Sequence, residues 1–120
     1  MSRTGPTNPT LQNIIAELKK RANEQKVSLW KRVALDLEKA TRQRRLVNLS
    51  KLNRVTEENE TVIVPGKVLG SGKMEHKITI AAYQFSGSSK EKLKQAGSKI
   101  VSLLDISKEN PKGKKIRIIG

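Results

Sequence analysis

The spacing of apolar residues predicts two amphipathic helices at the start of the chain. In the first, apolar side chains recur three or four residues apart on one stripe: Leu11, Ile14, Ile15, Leu18 and Ala22. Asn8 is placed to cap this helix, with Pro9 at its first position. The second helix is predicted to begin at a Ser28 cap, and its apolar residues again share one face: Trp30, Val33, Ala34, Leu37 and Ala40.

From Leu46 onward the periodicity changes to short runs rich in β-branched residues, which are typical of strands. These runs predict strands over residues 47–49, 61–64, 77–82, 99–101 and 115–119. A helix is predicted between the third and fourth strands, with a capping box of Ser88 and Glu91 and an end at Gly97. A second short helix is expected around 103–108, before an Asn-Pro-Lys-Gly turn over 110–113.

Two helices followed by strands mixed with short helices indicate an α+β fold. We expect a basic helical N-terminal segment over residues 1–45 and an α/β core domain over residues 46–120. The length of 120 residues is sufficient for a domain that buries roughly two-thirds of its unfolded surface.

Charge then narrows the function, because 25 Lys and Arg face only 11 Asp and Glu, a formal net charge of +14. The excess is spread along the chain, since residues 1–60 and residues 61–120 are both basic. Such charge opposes compaction and favours a polyanionic partner, so we expect nucleic acid. Trp30, Tyr83 and Phe85 are too few for a platform that stacks successive bases. Recognition should therefore use phosphates and shape.

The residues that usually carry catalysis do not assemble in this sequence. There is no cysteine, which excludes a disulfide framework and a thiolate metal site and fits a reducing compartment. The only histidine, His76, is expected to be solvated or locally hydrogen-bonded rather than a general base. We therefore expect no enzyme activity, no cofactor and no metal. Neither a signal peptide nor a membrane-spanning run is present, so we expect a cytoplasmic or nuclear protein.

The glycine-rich run PGKVLGSGK at residues 65–73 resembles a phosphate-binding loop. It fails the nucleotide-binding pattern, because five residues rather than four follow Gly66 and Met74 replaces the required Ser or Thr. Two compatible interpretations remain: a turn between strands, and amides that grip an RNA phosphate together with Lys67 and Lys73. In either case Gly70 or Gly72 is expected to adopt a positive φ or to allow close approach of RNA.

Four separated segments carry a resemblance to a known family: TNPTLQNIIAELKK, VPGKVLGSGKMEHKITIAA, FSGSSKEKLKQAG and NPKGKKIRI. In this order they resemble the archaeal and eukaryotic large-subunit ribosomal protein eighteen-e, which is related to the bacterial fifteenth large-subunit protein. The length and the ending at Gly120 are similar to the archaeal form. The resemblance implies a basic helical arm followed by an irregular superhelix of strand-strand-helix units. It also implies a structural component of the large subunit, with no metal or cofactor residues.

We therefore predict that the chain binds large-subunit ribosomal RNA in the cytoplasm, beside neighbouring ribosomal proteins. No membrane, small-molecule substrate or homo-oligomer is expected. The alternative is a free regulatory or chromatin-type nucleic-acid binder, but no recognition helix with base-reading side chains is evident. The candidate RNA-binding residues are Lys19, Lys20, Arg21, Lys31, Arg32, Arg42, Arg44, Arg45, Lys67, Gly70, Gly72, Lys73, Lys112, Lys114 and Lys115.

Overall fold

Both predicted amphipathic helices form in the computed structural model, which describes residues 9–39 and 45–119, with the backbone alone for Arg45. Helix α1 spans Pro9–Gln25 and helix α2 spans Ser28–Leu37. The predicted stripes are buried at Leu11, Ile15, Leu18, Ala22, Trp30, Val33, Ala34 and Leu37, and Ile14 is half-buried. The predicted cap Asn8 and the apolar position Ala40 lie outside the described residues.

The start of α2 differs from the prediction, because Ser28 is its first helical residue and not its cap. Val27 occupies the cap position in an extended conformation, and no side chain caps the helix there. Lys26 reverses the chain with a positive φ of 55°. This reversal directs Val27 against the apolar core and leaves Ser28 exposed. Apolar packing at Val27 therefore sets the helix start.

In the described residues, the second half contains five strands and three short helices that alternate irregularly. The strands are β1 Arg45–Asn48, β2 Thr61–Leu69, β3 Thr79–Phe85, β4 Lys99–Val101 and β5 Ile116–Ile118. The helices are α3 Leu49–Val55, α4 Gly87–Gln95 and α5 Leu103–Glu109. A helical arm followed by mixed strands and helices confirms the predicted α+β class.

All strand pairs are parallel in the described part of the chain, in the order β1-β2-β3-β4. Strand β2 is central because it pairs with β3 along one edge and with two strands along the other. Residues 61–63 of β2 pair with β5, and residues 66–69 pair with β1. The strands β5 and β1 therefore lie end to end beside β2.

The sheet separates two apolar cores, because successive residues of a strand face opposite sides. On one face Ile63 and Ala81 pack with α1, α2 and α5. On the other face Val62, Val64 and Ile80 pack with buried residues of α3 and α4. A parallel sheet is stable only when helices cover both faces, and the helices here meet that requirement.

Strand β2 is longer than the predicted run 61–64, because it continues through Pro65 and Gly66 to Leu69. Its register with β3 shifts between Val64 and Lys67. Proline cannot donate a ladder hydrogen bond, and a bulge is one of the few places where a sheet accepts it. The irregularity therefore lets the strand pass through a dipeptide that normally indicates a turn.

Two helix starts also differ from the predictions. Helix α3 begins at Leu49, which we predicted as the end of a strand, and no pattern predicted this helix. Helix α4 is capped by Ser86 rather than Ser88, and the Ser86 Oγ accepts a hydrogen bond from the Ser89 N–H at 3.2 Å. Because the Ser86 N–H also donates to Val68 O at 2.9 Å, the sheet fixes the cap at residue 86. The predicted end at Gly97 is confirmed by its φ of 80°.

The only tryptophan ties the C-terminal turn to α2. The fully buried Trp30 donates its indole Nε1–H to Pro111 O at 2.7 Å. Asn110 closes the turn by donating to Lys114 O at 2.9 Å. Gly113 has a φ of 66°, and a Cβ there would lie 2.6 Å from Leu29. The predicted Asn-Pro-Lys-Gly turn is therefore present and packs closely on α2.

We expect Trp30→Phe to lower the free energy of unfolding by about 1–3 kcal/mol, because Pro111 O loses its donor while most of the aromatic volume remains. Unfolding should be followed by circular dichroism, since the variant has no tryptophan. Leu35→Ala on the same helix is the control, because Leu35 is exposed and its loss should change stability by about 0.5 kcal/mol or less. Equal stability of Trp30→Phe and the parent chain would contradict this role.

Candidate nucleic-acid interface

The three predicted cations of α1 differ in their availability. Lys19 Nζ lies 2.8 Å from Glu38 Oε2, so that ammonium already has a carboxylate partner. Arg21 is only 21% exposed at its side chain and lies 3.7 Å from Glu24. Lys20 is exposed, with no carboxylate within 4.0 Å among the described residues. On α1, Lys20 is therefore the cation best placed for an external phosphate.

On α2 the predicted cations Lys31 and Arg32 are both exposed. Arg32 lines an open groove of about 570 Å³ between α2 and β5, and Arg117 lines the same groove. Arg117 makes an ion pair with Glu60 at 2.9 Å and also donates to Val55 O. We did not predict Arg117 as an interface residue, because only the pairing of β5 with β2 brings it beside α2.

The C-terminal lysines lie next to this groove. Lys112, Lys114 and Lys115 are exposed on the turn that Trp30 holds against α2. Lys112 Nζ lies 3.5 Å from Gln25 O at the end of α1. The fold thus gathers cations that are distant in sequence into one region, which we call the α2–β5 surface: Arg32, Lys112, Lys114, Lys115 and Arg117.

The glycine-rich segment links β2 to β3 and packs against the first turns of α3 and α4. Lys92 of α4 donates to Gly70 O at 2.7 Å and to Gly72 O at 2.9 Å. Ser50 of α3 donates its backbone N–H to Ser71 O at 3.0 Å. No pattern in the sequence indicated Lys92, because its contact depends on how α4 packs beside the turn.

The two glycines of this turn are needed for different reasons within the chain itself. Gly72 has a φ of 96°, as predicted, and a Cβ there would lie 2.6 Å from Ser50 Cβ. Gly70 does not have a positive φ, but a Cβ there would lie 2.0 Å from Ser88 Oγ and 2.9 Å from the Ser89 backbone nitrogen. Close approach of RNA to either glycine stays a prediction.

The lysines of the glycine-rich segment do not converge on one point. Lys67 lies on β2 and lines a concavity with residues of β3 and with Lys90. Lys73 is exposed and lines a different concavity of about 420 Å³, which also contains Lys92. The expectation that Lys67 and Lys73 grip one phosphate together is therefore not supported by their positions.

The arginine cluster at the end of the helical segment is described only in part. Arg42 and Arg44 lie outside the described residues. Arg45 is the first residue of β1, where its backbone pairs with Gly66. Contact of these three side chains with RNA stays a prediction.

His76 is locally hydrogen-bonded, as we predicted. Its Nε2 lies 2.8 Å from the Thr56 Oγ1, and that hydroxyl donates to Leu52 O at 2.6 Å. Because the hydroxyl has only one proton, Nε2 must be the donor. Within residues 9–39 and 45–119, no three His, Cys, Asp or Glu side chains form a group that could hold a metal. In the same ranges no helix has the length and apolarity to cross a membrane.

Comparison with known proteins identifies the family. Residues 10–101, from α1 to the end of β4, match a family of ribosomal proteins whose description names 50S-L15, 50S-L18e and a 60S counterpart. The chain belongs to this family. The resemblance found in the sequence is thereby confirmed.

Similar curated proteins from archaea are each named large ribosomal subunit protein eL18. That of Methanothermobacter thermautotrophicus is 45% identical over 113 residues, 94% of this chain and 93% of the relative. That of Sulfurisphaera tokodaii is 43% identical and covers 99% of this chain and 98% of the relative. That of Methanoregula boonei is 42% identical and covers 99% of both. The similarity thus extends over nearly the whole chain.

We expect Gly72→Ala to lower the free energy of unfolding by about 1–3 kcal/mol, because of its positive φ and the adjacent Ser50 backbone. Gly70→Ala should have a similar cost of about 1–3 kcal/mol, from overpacking against α4. Thermal and denaturant unfolding measure both. Gly87→Ala is the matched control, since no heavy atom lies within 4 Å of the added methyl group. If the first two variants melt like the control and lose only RNA affinity, the glycines serve RNA approach instead.

Proposed function

We propose that this chain is a structural constituent of the large ribosomal subunit and binds ribosomal RNA through phosphate and shape contacts. The observation that carries the proposal is its membership of a ribosomal protein family, with relatives of matching length named as large-subunit proteins. Its place is then the cytoplasmic ribosome, with ribosomal RNA and adjacent ribosomal proteins as partners. The role is architectural and requires no catalytic group.

The distribution of charge supports binding to more than one stretch of RNA backbone. The α2–β5 surface lies near Thr61, where β2 begins, because β5 pairs with that end of the strand. Lys73 lies beyond Leu69, where β2 ends. A strand rises about 3.3 Å per residue, so these two basic regions are on the order of 25 Å apart along β2. A single copy can therefore contact phosphates on two neighbouring RNA segments.

Fixed cations at both ends of a rigid sheet suit the packing of RNA helices against each other. Two phosphate backbones repel, and lysine or arginine between them lowers that repulsion and releases condensed counterions. Because the cations extend from elements that share two packed cores, their positions are set before RNA binds. The protein then acts as a charged spacer of defined shape.

The alternative, a free regulatory or chromatin-type binder, has less support. Its expected feature is a helix that presents base-reading side chains to a groove. Helices α1 and α2 bury their apolar stripes in the core, and the candidate residues on their outward faces are lysines and arginines. Lysine and arginine at such positions favour phosphate contact over reading of sequence.

We expect affinity for a large-subunit ribosomal RNA fragment to fall by about three to five orders of magnitude between about 50 and 200 mM salt, as for 6–10 neutralised phosphates. Replacing Lys112, Lys114 and Lys115 together with Ala should lower the slope of log affinity against log salt by about 3. Filter binding over a salt series measures both quantities.

A matched control removes the same charge from elsewhere on the surface. Lys94, Lys99 and Lys108 are exposed on α4, β4 and α5 and are not candidate interface residues. Their combined replacement with Ala should leave the slope close to that of the parent chain. An affinity insensitive to salt would contradict the phosphate mechanism, and equal slopes for the two triple variants would contradict the α2–β5 surface as its location.

A further inference from the structure

A concavity at the end of β3 combines features that the phosphate contacts do not require. It has a volume of about 330 Å³ and is lined by Lys67, Tyr83, Gln84, Phe85 and Lys90. Two of these residues are cations and none is a carboxylate. Small-molecule sites start at about 300 Å³, so this space suits one small planar group better than a run of stacked bases.

The two aromatic residues are held in place by the cores on opposite faces of the sheet. Tyr83 packs against the core under α1, α2 and α5, and Phe85 packs against the core under α3 and α4. Both remain half-buried, so each also contributes to the wall of the concavity. A ring fixed in this way can contact a base without first losing side-chain freedom.

Gln84 presents an amide between these rings. It is exposed, and its backbone pairs with Lys67 where the β2–β3 register has shifted. Lys90 reaches the same concavity from α4. The amide offers a donor and an acceptor side by side, which match the N6 and N7 atoms of adenine. The two ammonium groups provide charge for the adjoining phosphates.

We propose that this concavity binds a single unstacked adenine nucleotide of ribosomal RNA. The base lies against the aromatic wall and hydrogen-bonds to the Gln84 amide, and Lys67 and Lys90 contact its flanking phosphates. Bases splayed from loops and bulges are the usual targets of specific RNA recognition, by stacking and by hydrogen bonds to their edges. This inference rests on the proposed function, and it adds one base-specific contact to an interface otherwise governed by phosphates.

The test separates the base contact from the phosphate contacts. The full chain binds transcribed large-subunit ribosomal RNA over a salt series. Gln84→Ala should weaken binding by about 5- to 150-fold without changing the salt slope, because no charge is lost. Lys67→Ala combined with Lys90→Ala should lower the slope by about 2. Gln95→Ala is the matched control, since Gln95 is exposed on α4 outside this concavity.

Chemical probing of unpaired adenines gives the second measurement. The parent chain and Gln95→Ala should protect one adenine that Gln84→Ala leaves reactive. Equal affinity and equal protection for the two glutamine variants would overturn the proposal, also if the lysine variant loses affinity, because the site would then contact phosphate alone. Unchanged binding by all variants would overturn it as well and would favour a protein neighbour at this surface. A parent chain that binds no ribosomal RNA would refute the proposed function itself.

Discussion

The burial of β2 on both faces is the constraint on which the rest of the structure depends. Residues Val62, Ile63 and Val64 are fully buried, and their side chains alternate between the two cores. Because β2 alone pairs with three other strands in the described part of the chain, the sheet cannot form until it is covered. The helices α1 and α2 supply one cover, and α3 and α4 supply the other. The basic arm is thus also a structural half of the fold.

Filling both cores with apolar side chains leaves the charge on the surface. Several cations are balanced locally, as Lys19 is by Glu38 and Lys99 by Glu109. Eleven acidic residues cannot balance 25 basic ones, so the remaining repulsion persists in the free protein. A polyanion relieves that repulsion on binding. The same surplus that limits the stability of the free chain therefore promotes its association with RNA.

Much of the fold was predictable because apolar spacing is a local property, as in the stripes of α1 and α2. The α4 cap was not, because Ser86 and Ser88 are both suitable, and only the hydrogen bond from the Ser86 N–H to β2 distinguishes them. The candidate interface was likewise predictable in composition but not in arrangement. Charge alone could not show that Glu38 already pairs with Lys19. Arg117 was missed because strand pairing creates its contacts.

The claim that this chain is a component of the large ribosomal subunit is tested most directly by sedimentation of a cell lysate at low salt. The account predicts that the chain travels with the large subunit and stays with it when those fractions are run again. It also predicts release as the salt concentration is raised, because phosphate contacts are screened. A chain that remains with free proteins at the top of the gradient, or follows DNA, would contradict the account.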